Sequence, residues 1–172
     1  MTNDLGILLV RVIIGLGLAV HGSQKLFGWF GGHGLKGTGG FMEALGFRPG
    51  VVFSAMAGLG EFGGGLLIFF GFLGPVGSAL AIATMLVAIL TVHIRNGFLA
   101  ANNGYELPLI YIAGALAAAF TSSSALTLDS LLGISLWHSA AATWIFVAIG
   151  IAGGLATVLL KRASPAPRSA SA

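Results

Sequence analysis

Glu61 stands near the middle of the apolar run Val51 to Leu73, VVFSAMAGLGEFGGGLLIFFGFL, and no other feature limits the fold as strongly. About 20 apolar residues match the hydrocarbon thickness of a bilayer, and a charge at the centre of such a span costs at least about 2.5 kcal/mol. The helix therefore has to sit in a bundle that gives Glu61 a partner.

Four more apolar stretches surround it. Leu5 to Gly22 comes first, with Arg11 about two turns in and Gly15 and Ala19 as a small-residue pair for close helix approach. Val76 to Ile94 follows the Gly74-Pro75 turn. Glu106 to Phe120 is shorter and tolerates Pro108 in its first turn, and Ser139 to Leu160 carries Gly150-xxx-Gly154. With 56% hydrophobic and 8% charged residues, the chain lies far from soluble composition. The expected class is all-α: a polytopic membrane protein with a four-helix transmembrane bundle over 1–133, an additional C-terminal transmembrane helix over 134–162, and a disordered tail over 163–172. Asp4, where a signal peptide would be basic, and Arg11, inside its would-be apolar core, argue for a retained first span.

The connections carry the punctuation. Phe27 to Gly50 is Gly-rich, with Trp29 and Phe30 as interfacial anchors. Its GGHGLKGTGG lacks the Gly-Lys-Ser/Thr order of a phosphate loop. Thr38 to Leu45 reads as a short interfacial helix stopped by Gly46, and Thr121 to His138 as a connection lying at the interface with Trp137 as anchor.

Five spans put Lys25, Lys36, Arg48, Arg95, Lys161, Arg162 and Arg168 on one side and no Lys or Arg on the other. By the positive-inside rule the N-terminus is expected outside and the C-terminus in the cytoplasm. These charges are scattered rather than gathered in a stripe, so no nucleic-acid partner is expected. There is no Cys, which excludes thiolate metal sites and thiol redox chemistry by the chain itself.

Helix direction orders the candidate partners of Glu61. Side chains lean toward their helix N-terminus, so Glu61 and His21 converge in antiparallel neighbours whereas Glu61 and Arg11 lean apart. His21, with Lys25 behind it, is the expected partner, and Arg11 is the second candidate. Arg11 itself either snorkels to the nearer surface or turns into the bundle. His93, Arg95 and Glu106 fall in the same half, so His21, Lys25, Glu61, His93, Arg95 and Glu106 are expected around one cavity. No His-xxx-His or Glu-xx-His spacing supports a metal, and none is expected. The polar group then either fixes helix packing or forms a site for a ligand, a quinone or a proton.

These residues resemble the DoxX family of bacterial membrane proteins. The resemblance runs through VRVIIGLGLAVHGSQKLFG, AGLGEFGGGLLIFFGF, NGYELPLIYIAGALA and SALTLDSLLG, about the first 133 residues. It singles out Arg11, His21, Lys25, Glu61, Glu106 and Asp129. The resemblance implies a four-helix bundle in the bacterial inner membrane; some relatives are subunits of thiosulfate:quinone oxidoreductase or partners of redox enzymes. The fifth span and the long Gly-rich first loop depart from its pattern. The leading expectation is a non-enzymatic scaffold or a membrane subunit associated with a redox enzyme. The alternatives are a quinone-interacting oxidoreductase subunit with its site around Glu61, and a small transporter formed by a homo-oligomer. No catalytic residue is assigned.

Overall fold

The computed structural model describes residues 2–161; Arg162, Arg168 and the 163–172 tail lie outside them. Among the described residues the α-helices are α1 (Thr2–Leu26), α2 (Gly34–Ala44), α3 (Gly50–Phe70), α4 (Val76–Ala88), α5 (Glu106–Phe120), α6 (Leu128–Leu132) and α7 (Ala140–Leu159). A π turn at Ile89–His93 and a 3-10 turn at Ile94–Asn96 prolong α4. Helices Thr2–Leu26, Gly50–Phe70, Val76–Asn96 and Ala140–Leu159 are long and apolar enough to cross a membrane, and α5 is a shorter apolar helix. The protein is an all-helical, polytopic membrane protein.

Two matched stripes bring α1 against α3. Positions 11, 15, 18 and 22 are buried on α1, and Ser54, Gly58, Glu61, Gly65 and Ile68 are buried on α3, each series stepping by four and three. Small residues along these stripes let the backbones touch: a Cβ on Gly22 would lie 2.3 Å from Phe62 N, and one on Gly65 would lie 2.6 Å from Gly15 O. The core beside this seam holds Leu18, Ile68, Ile82, Met85, Tyr111 and Val147. Leu5, Leu9, Ile13, Leu16 and Val20 run down the other side of α1 fully or partly exposed, as a lipid-facing stripe must be.

Helix α2 begins four residues before the expected Thr38. Four of its eleven residues are Gly, which lowers its intrinsic helix propensity. Packing overrides that preference, because Gly39 lies buried so close to α3 that a Cβ there would fall 3.1 Å from Val51 N. Glu43 then accepts a hydrogen bond from Gly50 N at 3.1 Å, capping the start of α3.

Fifteen residues give α5 a length of about 22 Å, short of a hydrocarbon core of about 30 Å. The loop before it consequently satisfies its own backbone, as irregular chain near a bilayer must. Tyr105 N and Glu106 N bond to Gly97 O and Phe98 O, and Gly104 N bonds to Leu99 O.

Helix α7 lies along α4. Cβ atoms on Gly150 and Gly154 would fall 2.7 Å from Ala79 O and 2.9 Å from Ala83 O, so the small-residue pair is the seam that docks this helix onto the bundle. Replacing both glycines with Leu should cost about 1–3 kcal/mol or more through overpacking, read as a lower melting midpoint in mild detergent. Unchanged melting and unchanged protease resistance of the α4–α7 segment would contradict this seam.

Candidate functional site

The polar residues fall into three groups, and two of them hold backbone. At the end of the bundle that carries the N-terminus, Arg11 turns inward rather than snorkelling and is 3% exposed. Its Nε donates to Ile68 O at 2.9 Å, Nη1 to Leu126 O at 2.6 Å and Nη2 to Phe69 O at 3.0 Å. A cation thus closes the electronegative C-terminus of α3. Gly71, at φ 61°, ends that helix, and a Cβ there would strike the guanidinium. Asp129, fully buried on α6, accepts from Leu73 N at 3.0 Å, from Gly74 N at 2.7 Å, and pairs with His138 Nε2 at 2.9 Å. This clasp ties the 121–138 connection to the α3–α4 turn.

At the opposite end, His93 and Glu106 hold the 97–105 loop. Glu106 Oε2 accepts from Ala100 N at 2.8 Å, and His93 Nδ1 lies 2.8 Å from Asn103 O. Arg95 is exposed on the 3-10 turn that follows α4.

The third group is the Lys25–Glu61 ion pair, in which the side chains keep 26% and 5% of their exposure. Lys25, not His21, meets the carboxylate. The reason is helix phase: Lys25 continues the α3-facing stripe 11, 15, 18, 22, and its long stem reaches back along the helix toward Glu61. His21 shares the Gly17 face instead, meets the Tyr111 ring edge-on at 5.8 Å, and sits 3.2 Å from Gln24 Oε1. Tyr111 is the residue that sequence reasoning missed. It is one of two tyrosines, and its position in the middle of an apolar helix was the available signal, since its hydroxyl needs a polar neighbour. His138 was missed as well, because its partner Asp129 lies on a short helix that does not cross the bundle.

The ion pair lies in the wall of a cavity of about 720 Å³. His21, Lys25, Glu61, His93 and Tyr111 supply its titratable side chains, and Phe53, Met56, Leu80, Val87 and Leu107 much of its apolar surface. Arg95 and Glu106 do not line it, and Arg11 and Asp129 belong to the clasp roughly 20 Å away along α1. Volume and lining are those of a site for a small organic ligand: mostly apolar, with a few convergent acid–base groups. No cluster of three or more His, Asp or Glu suited to a metal occurs among the described residues.

The DoxX family model matches residues 6–94, which include Arg11, His21, Lys25, Glu61 and His93. A Bacillus subtilis (strain 168) protein named "Putative oxidoreductase CatD" is 31% identical over 126 residues, covering 73% of this chain and 86% of that relative. No solved structure matches. With its bundle, its Arg11 and its Lys25–Glu61 pair inside or beside the matched segment, the chain belongs to the DoxX family.

Proposed function

We propose that this protein is a redox-associated subunit of the bacterial plasma membrane that binds a quinone in the cavity beside Lys25 and Glu61. One observation carries the reading: Arg11, Asp129, Glu43, Glu106 and His93 all bond to backbone, whereas Lys25 and Glu61 bond to each other and face the cavity. A buried charged pair with no backbone to cap, opening on an apolar space, suits a ligand that exchanges protons. The oxidoreductase name of the Bacillus subtilis relative supports the same class. A bound quinone would supply the electron-accepting chemistry, with two electrons coming from a partner redox enzyme. The chain's own residues exclude water, orient the ring between apolar walls, and hold or release a proton at Glu61 Oε2 and Lys25 Nζ.

The test is quinone extraction from protein purified in mild detergent, followed by titration with decylubiquinone. Wild type should bind it, and Glu61→Gln should bind more weakly, by about tenfold or more, while melting close to wild type, because one hydrogen bond to a charged group carries about 1.5–3 kcal/mol. No binding by wild type, and no change in its melting on adding decylubiquinone, would leave the scaffold reading. That reading is favoured by the direct contact of Lys25 with Glu61, which serves packing without any ligand.

The reading includes an orientation. With Lys25, Lys36, Arg48, Arg95 and Lys161 at the cavity end, the cavity opens in the cytoplasmic half and the N-terminus lies outside. A reporter that works only in the periplasm should be inactive when fused after Arg162, and activity there would invert the topology.

A further inference from the structure

Resting on the quinone reading, we infer that the cavity is filled sideways from the bilayer, through a gap between α3 and α4, and that its ligand is an amphiphile whose hydrocarbon tail occupies that gap. The two helices form a V. Toward the clasp end they touch, since Cβ atoms on Gly64 and Gly60 would fall 3.0 Å from Gly77 O and 2.4 Å from Thr84 Cγ2. Toward the other end the facing positions, Phe53, Met56 and Ala57 on α3 and Val87, Ala88 and Thr91 on α4, line the cavity rather than each other. These positions repeat at helical spacing, so each helix presents one continuous face to the gap.

The aqueous end of the V is covered. Phe41, Met42 and Leu45 close it from α2, and Asn103 and Gly104 close it from the loop before α5. The side is open beside Met56, which is 48% exposed although it lines the cavity, in a stretch of α3 that belongs to a membrane-spanning helix, while Gly153 and Thr157 bring α7 to the cavity wall as well. Lipid is the solvent at that depth, so a ligand entering there is already dissolved in the membrane. Lys25, Glu61, His21 and Tyr111 gather at the cavity's inner end, whereas Phe53, Met56, Ala57, Val87 and Ala88 make the wall beside the gap apolar. That gradient orders the occupant, with the polar head inward and the tail between the helices.

The chain has no Cys, which makes a direct test available. In full-length protein reconstituted in nanodiscs, an Ala57→Cys variant should be labelled by a neutral alkyl methanethiosulfonate about tenfold or more faster than by a charged, membrane-impermeant methanethiosulfonate, because hydrocarbon expels a fixed charge. Ala88→Cys, on the opposite wall, should behave alike, and it keeps the test informative if one variant folds poorly. Equal labelling by the charged reagent would mean that the gap opens to water. No labelling by either would mean that it is closed. Either outcome overturns the lateral route. Protection of the same cysteines by decylubiquinone, but not by its tailless ring homologue, is expected in addition. If the alkyl reagent is preferred but decylubiquinone gives no protection, the lateral route stands and the quinone reading falls.

Discussion

Glu61→Leu is expected to destabilise the bundle by about 3 kcal/mol, the lower end of the range for breaking a buried charge pair. The lower end applies because Lys25 keeps a quarter of its exposure and can swing toward the cavity, whereas Glu61 keeps only 5%. Lys25→Leu should therefore cost more, about 3–5 kcal/mol, by stranding the deeper partner. The double variant Lys25→Leu/Glu61→Leu should recover most of the loss, since two apolar side chains in an apolar wall leave no charge unpaired. Melting of the four proteins in mild detergent gives the coupling directly. Single variants as stable as wild type would mean that the two side chains do not depend on each other. The same set separates structure from the proposed chemistry: Glu61→Gln keeps an acceptor for Lys25 and so most of the fold, while removing the group proposed to exchange a proton.

Arg11→Met should be at least as damaging, at about 3–5 kcal/mol, because it strips a buried cation from three carbonyl oxygens at once. Two of those carbonyls end α3 and the third belongs to the 121–138 connection, so the loss should appear first as loosening of that connection. Amide hydrogen exchange of residues 121–138 should accelerate before the rest of the bundle responds. Arg11→Lys should fall between, since a single ammonium lacks the planar fork that reaches all three oxygens. Wild-type exchange in this segment of the Arg11→Met protein would show that the clasp does not depend on the guanidinium.

Much of this architecture was legible in the sequence because the bilayer imposes it. Each apolar run had to become a helix, and the bounds expected for Glu106 to Phe120 match α5 residue for residue. Small residues at four-residue spacing announced close helix contact, and Gly150 and Gly154 make it against α4. The Lys25–Glu61 contact was also within reach, since Arg11, Gly15, Leu18, Gly22 and Lys25 step by four and three just as Ser54, Gly58, Glu61, Gly65 and Ile68 do. Matching these stripes places Lys25 on the α3 face and His21 off it. Helix direction ranked His21 first, and direction carries no information about helix phase.

The sequence by itself determined that the chain is a membrane bundle, that Glu61 needs a cation, and that the cation comes from the first helix. Those conclusions follow from transfer energies and helical periodicity, which are local properties. Which backbone groups lack partners is not local. Only the tertiary structure assigned Arg11 to the end of α3, Asp129 and His138 to the α3–α4 turn, and Glu106 and His93 to the loop that completes a short α5. The cavity is likewise a tertiary fact, because it exists where α3 and α4 diverge from their contact at Gly60 and Gly64, and a divergence between helices is a property of the pair rather than of either sequence.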